Sequence, residues 1–268
     1  MKRHPARIIV FVTLLLAPAG RILAQESAED LAQAASNPLA DLISIPFQNN
    51  ANFGLGEFDR TANVLNIQPV VPLAGGKLIT RTIFPIVWLP DVTADEGILS
   101  SGLADVLFTA FFVPSAGKVT LGVGPVVSAP TGGEIRGSKM WGVGPSGVII
   151  AQIDSWTIGA LANTVWSVGG DSDRESTANG LLQYFVTYTI PGGWYLNSAP
   201  IITVDWKASD DKWTIPLGGG GGKVIFLGKL PLNLQVGAYY NVVKPDFGPD
   251  WQLRLQAQIL IPASLIGG

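Results

Sequence analysis

The residue types that most often carry catalysis are nearly absent from this sequence. Its 268 residues include one histidine, His4, and no cysteine. His4 lies in residues 1–24, which have the features of a secretory signal peptide, so the mature chain is expected to contain no imidazole. A serine or threonine nucleophile activated by histidine is then excluded, and so is a metal site built on thiolates. We therefore predict no catalytic residue and no enzymatic activity.

Carboxylates are the remaining candidates for acid–base chemistry or metal binding. They cluster at Asp95-Glu96, at Asp210-Asp211, and at Asp171, Asp173 and Glu175. All three clusters fall in predicted loops, where acidic side chains are usually solvated. None of them completes a calcium-loop pattern, so we predict no metal site.

Two glycine-rich stretches resemble nucleotide-binding loops only in part. Gly142–Gly147 has the spacing of a dinucleotide loop, but strand-like residues follow it where a helix is required. Gly218–Gly222 precedes Lys223 as in a phosphate loop, but the first glycine and the magnesium-binding serine or threonine are missing. We predict no cofactor, and we interpret the second stretch as a flexible bend or bulge.

The stretch Trp251–Ile261 has a period of two residues. A helix would mix its two rows of side chains, whereas a strand separates them onto two faces. The apolar row is Trp251, Leu253, Leu255, Ala257, Ile259 and Ile261, and the polar row is Gln252, Arg254, Gln256 and Gln258. The preceding stretch, Leu232–Val242, repeats the pattern. Such a hairpin fits a soluble β-sandwich, or a membrane β-barrel whose polar face lines a lumen.

Export and composition favour the barrel. Residues 1–24 combine a basic start with an apolar run, Ile8–Ala17, too short to span a bilayer as a helix. We predict cleavage after Ala24; the alternative is an N-terminal membrane anchor. Cleavage leaves 13 basic and 20 acidic residues, a net charge of about −7, which argues against a nucleic-acid partner. Only 14% of residues are charged, below the usual quarter, yet no later apolar run is long enough for a transmembrane helix.

Twelve strand-like runs follow, from Ser44–Gly54 to Trp251–Ile261, and their connections alternate between short and long. These features are typical of outer-membrane barrels. We predict an all-β, antiparallel up-and-down transmembrane barrel over residues 43–268, preceded by a helical segment over 25–42 that forms a periplasmic stub or a plug. Prolines inside the runs remove ladder donors and predict bulges or bends. They are Pro69, Pro85, Pro125, Pro145, Pro200 and Pro216.

Every tryptophan lies near the end of a predicted strand. Trp156 and Trp166 bound one strand, and ten residues at about 3.3 Å each, tilted by about 40°, span about 25 Å, the height of a membrane barrel's apolar band. We predict that all eight are membrane-interface aromatics; the alternative places them at the rims of a soluble sandwich. They are Trp88, Trp141, Trp156, Trp166, Trp194, Trp206, Trp213 and Trp251.

Charged residues inside strands mark the candidate solute path. A basic residue facing lipid near the midplane would cost about 2–4 kcal/mol, so these residues are expected to face the lumen. There they could pair with each other, hold a plug, or line a path. The candidate lumen residues are Arg81, Asp105, Asp205, Asn233, Gln235, Asn241, Gln252, Arg254, Gln256 and Gln258.

Segments along nearly the whole mature chain resemble a known family. They include Asp41–Asn50, Asn66–Pro72, Arg81–Ile86, Gly102–Asp105, Gly122–Pro125, Ala129–Thr131, Asn163–Ser167, Ile215–Gly218 and Tyr239–Val242. The sequence is similar to the "MetA-pathway of phenol degradation" transporters, often mislabelled neuromedin U. The resemblance implies a porin-like β-barrel in the outer membrane of a Gram-negative bacterium, surrounded by lipid and inserted by the barrel-assembly machinery. The ending Ser264–Gly268 departs from the aromatic residue on which such barrels commonly end.

Three functions remain open at this point. The first is a channel or transporter for passive uptake of small, aromatic or hydrophobic solutes, as the resemblance implies. The second is a structural or adhesive barrel with a filled lumen. The third is a secreted soluble β-sandwich that binds carbohydrate through its tryptophans.

Overall fold

The computed structural model describes residues 27–114 and 117–262. The predicted signal peptide lies outside the described residues. Within them there are two helices and fifteen strand segments. These are α1 (Ala28–Ala35), β1 (Leu42–Leu55), β2 (Arg60–Ile67), β3 (Val70–Leu73), β4 (Leu78–Pro90), β5 (Ile98–Leu103), β6 (Val106–Phe112), β7 (Val119–Ala129), α2 (Gly133–Arg136), β8 (Met140–Ile153), β9 (Trp156–Gly170), β10 (Ala178–Ile190), β11 (Trp194–Ser198), β12 (Ile201–Asp205), β13 (Trp213–Leu227), β14 (Leu230–Val243) and β15 (Trp251–Pro262).

The strands form one closed antiparallel barrel. Three barrel strands consist of two segments each, β2 with β3, β5 with β6, and β11 with β12, so the fifteen segments make twelve barrel strands. Each barrel strand pairs with its neighbours in sequence, and β1 pairs with β15 from Leu42 opposite Pro262 to Phe53 opposite Trp251. The predicted twelve-stranded barrel is confirmed, and a single closed sheet excludes the two-sheet sandwich.

Prolines explain part of the irregularity. Pro69 separates β2 from β3, Pro200 separates β11 from β12, and the register of β13 against β14 shifts at Pro216. Each of these sites lacks a ladder donor, as the sequence predicts. The expected irregularity is absent at two of the other three prolines, because Pro125 lies directly opposite Pro145 in a regular register. Pro85 is in register with Asn66 on one side, but on the other side the register shifts by one residue between the pairs Ile83–Leu107 and Ile86–Leu103, where β5 and β6 separate.

Exposure alternates along the strands with the two faces of the sheet. In β15, Arg254 and Gln258 are 3% and 5% exposed, whereas Leu255 is 48% exposed. The outer surface carries large exposed apolar side chains on many strands, among them Leu121, Ile149, Leu182, Leu196 and Val236. A continuous apolar exterior around a polar, buried interior inverts the arrangement of a soluble protein, and it marks a surface that contacts something other than water.

The segment before β1 packs against inward-facing side chains of the barrel. Helix α1 begins with a capping box, in which Ser27 and Asp30 exchange side-chain to backbone hydrogen bonds. Leu31 and Ala32 are buried in a cluster with Tyr195, Val224 and Leu260. Across residues 27–114 and 117–262, neither helix has the length and hydropathy needed to cross a membrane.

Candidate solute pathway

An inner cavity of about 160 Å³ lies between the segment that follows α1 and the inner faces of the barrel strands. One part of its wall is apolar and the other is built from amides and two arginines. The apolar lining includes Leu42, Val70, Leu161, Phe185 and Ala199. The polar lining includes Gln48, Gln68, Arg81, Asn233, Gln235, Arg254, Gln256 and Gln258. No carboxylate belongs to the described lining residues.

Arg254 is held by neutral groups. Its Nε donates to Asn50 Oδ1 at 3.1 Å, its Nη1 to the Ala199 carbonyl at 2.9 Å, and an Nη2 hydrogen to Gln252 Oε1 at 3.1 Å. The guanidinium carbon also lies 4.6 Å from the centre of the Tyr239 ring. These contacts satisfy three of the five N–H groups and add a cation–π interaction, but they bring no counter-charge.

Arg81 faces the same cavity from β4. It lies opposite Val70 on one side and Thr109 on the other, and its Nη2 donates to Gln68 Oε1. Between residues 27 and 262, outside the gap at 115–116, neither Arg81 nor Arg254 forms a salt bridge. The cavity therefore carries two positive charges that only neutral oxygens accompany.

A chain of amides and one phenol continues the polar wall. Tyr195 Oη donates to Asn233 Oδ1 at 2.8 Å, and Asn233 Nδ2 donates to Gln258 Oε1 at 3.0 Å. Gln256 Nε2 also donates to Gln258 Oε1, at 3.3 Å. Such a network fixes the orientation of amide groups whose free donors and acceptors can contact a solute.

The glycine run of β13 makes room for this network. A Cβ on Gly222 would lie 2.3 Å from Tyr195 Oη and 2.4 Å from the Leu234 carbonyl oxygen. The interpretation of the run as a bend or bulge is wrong, because Gly218–Gly222 pairs with β14 in unbroken register and the shift comes earlier, at Ile215/Pro216. The absence of a side chain at Gly222 therefore lets the Tyr195 phenol approach the backbone of β13 closely.

A wider outer vestibule lies among the long loops, with a volume of about 800 Å³. Its charged lining is mostly acidic, consisting of Asp105, Asp205, Asp210, Asp211, Asp246 and Lys212. Asp205 is exposed, and its Oδ1 accepts from the Lys207 backbone N–H at 2.9 Å. Asp105 instead anchors a loop, because it accepts from the backbone N–H groups of Gly132 at 2.9 Å and Ser138 at 2.7 Å.

The four charges that were predicted to lie inside strands do not pair with each other, and one of them, Asp105, lies between β5 and β6. Arg81 and Arg254 line the inner cavity, while Asp105 and Asp205 line the outer vestibule. Salt bridges within the described ranges occur in loops instead, joining Lys139 to Glu134 and Asp171, and Lys244 to Asp250. Opposite charges are thus separated along the lumen.

The remaining candidate residues divide into two groups. Asn233, Gln235, Gln256 and Gln258 line the inner cavity beside the arginines. Gln252 and Asn241 lie outside its lining: Gln252 donates to Asn52 Oδ1 at 2.8 Å, and Asn241 donates to the Pro249 carbonyl at 2.7 Å.

Sequence reasoning missed Gln48, Asn50, Gln68, Tyr195 and Tyr239, which contact the candidate residues or line the cavity with them. A signal for three of them was present. Gln48 and Asn50 alternate with Phe47 and Asn49 in β1, in the same polar period as the row that contains Arg254. Tyr239 shares the row of Asn233, Gln235 and Asn241 in β14.

Loop charges tie the long loops together beside the vestibule. The Lys139 ammonium lowers the pKa of Glu134 through a direct hydrogen bond, and the same bond raises the pKa of Lys139. The pKa of Asp171 is lowered first by the Asp173 backbone N–H and then by Lys139, whose Nζ lies 3.3 Å from Asp171 Oδ2. Lys139 therefore links the loop that contains α2 to the loop that follows β9.

All eight tryptophans are exposed, by between 38% and 53%. Trp156 and Trp194 lie where β9 and β11 begin after short turns, and the other six lie beside long loops. Two of those six, Trp206 and Trp213, pack edge to face with their ring centres 5.6 Å apart.

Comparisons with known proteins agree with this architecture. The COG4313 outer membrane channel from Pseudomonas putida F1 shares the fold with a TM-score of 0.58 at 18% identity, over 82% of this chain and 94% of that one. The NanC porin matches with a TM-score of 0.53 at 8% identity, over 82% of this chain and 98% of the porin. No curated protein matches the sequence. The sequence model of one family, described as "Putative MetA-pathway of phenol degradation", matches residues 43–242, and the chain therefore belongs to that family.

Proposed function

We propose that this protein is an outer-membrane channel through which small aromatic or hydrophobic solutes diffuse passively. The observation that carries the proposal is the inverted polarity of the barrel, with Leu255 exposed on the outside and Arg254 buried within. A closed barrel of this kind has no unpaired edge in lipid and can hold polar groups in its lumen.

The size of the inner cavity supports a solute with one ring. Its volume of about 160 Å³ is close to that of an engineered protein cavity of about 150 Å³ that binds benzene. Leu161 and Phe185 offer an apolar contact for a ring, and the amides on the opposite wall can bind a polar substituent. This combination matches ordinary ligand sites, in which a few polar groups orient a mainly apolar molecule.

Residues 27–41, between the described start and β1, act in this proposal as a plug. Gln33 Nε2 donates to the Asp154 carbonyl at 2.7 Å, and Asn37 Nδ2 donates to Gln152 Oε1 at 3.1 Å. Glu29 accepts from the Gly192 backbone N–H, which lowers the pKa of its carboxyl group. Both Asp154 and Gly192 lie in short turns, so the plug is tied to the end of the barrel opposite the long loops. Passage then requires this segment to shift.

The exposed tryptophans support an orientation in the membrane. The two beside short turns and the six beside long loops fit the two aromatic belts that flank the apolar band of membrane barrels. In this proposal the chain is exported by its signal peptide, inserted by the barrel-assembly machinery, and surrounded by outer-membrane lipid.

Conductance in planar bilayers tests the channel function. The full chain is expected to conduct weakly, and deletion of residues 27–39 is expected to raise conductance severalfold because it removes most of the plug. A graded control is Gln33→Ala with Asn37→Ala, which removes two tethers and keeps the helix. A properly folded barrel that stays silent both with and without the segment would overturn the channel.

A structural barrel with a filled lumen is the second candidate function. It is favoured by the apolar cluster inside the barrel, in which Leu39 packs with Ile79, Phe111, Ile150 and Phe185. Such a cluster could fill the interior permanently. The same deletion separates the two functions, because removal of Leu39 with most of the plug opens a channel but leaves a filled barrel closed.

A further inference from the structure

We infer that the inner cavity is a binding site for small organic anions, namely carboxylates carried on an apolar body of about one ring. This inference rests on the proposed channel function and names the class of solute that the site selects. It follows from two positive charges, on the buried Arg254 and the half-buried Arg81, that lack a counter-charge in an otherwise neutral cavity.

The charge balance of the cavity is the first argument. Arg81 and Arg254 line it together, and no Asp or Glu is found among its described lining residues. Removing a charge from water costs several kcal/mol unless a partner restores the lost interaction, so the buried Arg254, with the half-buried Arg81 beside the same cavity, attracts an anion strongly. A carboxylate that enters the cavity supplies the missing partner.

The free donors of the arginines are the second argument. A guanidinium offers five N–H donors, and Arg254 uses three of them on neutral oxygens. Arg81 uses one side-chain donor, on Gln68. Both groups therefore retain N–H donors that can bind carboxylate oxygens, with the strength of charge-assisted hydrogen bonds.

The apolar wall completes the recognition. Val70, directly opposite Arg81 in the sheet, packs against the interior cluster that contains Leu161 and Phe185. A ring attached to a carboxylate can thus contact the cluster while its charge lies against the arginine. A small inorganic anion gains only the attraction to the arginines, and a neutral ring gains only the contact with the apolar cluster.

The acidic vestibule opposes entry of anions but does not decide selectivity. Its aspartates surround a wide, open space, so salt screens them beyond about 8 Å at physiological ionic strength. Arg254, at 3% exposure, is screened far less, and its field acts in the narrow part of the path. The two regions therefore act in sequence, with slow entry followed by preferential binding.

Calorimetric titration of the detergent-solubilised full chain with benzoate, benzyl alcohol and chloride tests the binding. Benzoate is expected to bind at least about tenfold more tightly than either of the others, since it satisfies both terms. Arg254→Gln and Arg81→Gln should each remove most of that preference, while Arg254→Lys should retain part of it. Lys223→Gln is the matched control, because it removes one positive charge outside the cavity. Lys223 pairs with Trp194 in the sheet, and its ammonium lies over the Trp194 ring on the outer face of the barrel.

Reversal potentials in a KCl gradient supply the second arm. The wild-type channel is expected to favour chloride over potassium, and the double variant Arg81→Gln with Arg254→Gln should lose that preference. Equal binding of benzoate and benzyl alcohol, or benzoate binding unchanged in both folded single variants, would overturn the inference. A silent barrel that still binds benzoate through the arginines overturns the channel alone, so the two failures are distinguishable.

Discussion

The inner cavity and the outer vestibule are two spaces within the same barrel, yet their lining charges differ in sign and in how they are stabilised. The vestibule is wide and acidic, and water stabilises its exposed carboxylates. The cavity is narrow and cationic, and amides, a carbonyl and a tyrosine ring stabilise its arginines. The difference teaches that an interior whose strand charges sum to zero can still be strongly polarised along its axis. Counting inward-facing charges does not reveal this polarisation, because the depth of each charge in the lumen determines how strongly water screens it.

The largest expected effect comes from filling the inner wall. Gly222→Ala places a methyl group 2.3 Å from Tyr195 Oη and 2.4 Å from a backbone oxygen, so the strands must shift. We expect a loss of about 1–3 kcal/mol in stability, together with weaker anion binding. Gly169→Ala is the control, since no heavy atom lies within 4 Å of its added Cβ. Urea unfolding followed by tryptophan fluorescence measures both, and equal stabilities would show that the wall tolerates the methyl group.

A smaller effect is expected from Asp105, the vestibule carboxylate with a structural role. Asp105→Asn removes one charged acceptor from the Gly132 and Ser138 backbone N–H groups, at a cost of about 1 kcal/mol. The loop that contains Arg136 and Lys139 should then be cleaved faster by trypsin. Asp205→Asn, whose carboxylate is exposed, is the control and should leave the cleavage rate unchanged.

Asp205 sharpens the contrast between the two regions in a different measurement. Asp205→Asn removes one vestibule charge, so the chloride preference of the reversal potential should increase, by less than about twofold because the site is screened. The increase should shrink at 1 M salt, where screening extends only about 3 Å. A change as large as that of Arg254→Gln would mean that the vestibule, not the cavity, sets selectivity.

The smallest effect is a dependence of loop order on pH. The pKa of Glu134 and that of Asp171 are both lowered, so their bonds to Lys139 stabilise the folded loops above the ordinary carboxyl pKa and lose that stabilisation as pH falls below it. Because the natural chain has no cysteine, a nitroxide label can be attached at the single substitution Ile135→Cys, and it should become more mobile only below about pH 4. Lys139→Gln should make the label mobile at every pH; if its pH profile matches that of the parent, Lys139 does not hold the loop.

The sequence predicted the barrel well because its signal is local. A period of two, prolines and turn residues are visible in single strands, and they led to twelve strands and to breaks at Pro69 and Pro200. The site was predicted only in part, because its contacts are distant in sequence. Arg254 and Asn50 are 204 residues apart, and the height of a residue in the lumen depends on strand tilt and stagger, which no local pattern encodes. Pairing among Arg81, Arg254, Asp105 and Asp205 was one of the alternatives that the sequence left open, and it could not be decided for this reason.

The ladder between β1 and β15 has a consequence for how the molecule is made. It joins Phe53 to Trp251, residues nearly two hundred positions apart, so bringing them together has a high entropic cost until the intervening hairpins have formed. We expect the ladder between β1 and β15 to form last. Until then β1 has an unpaired edge to which a strand of another chain could add. We therefore expect that covering this edge during membrane insertion determines whether the new chain closes its barrel or aggregates.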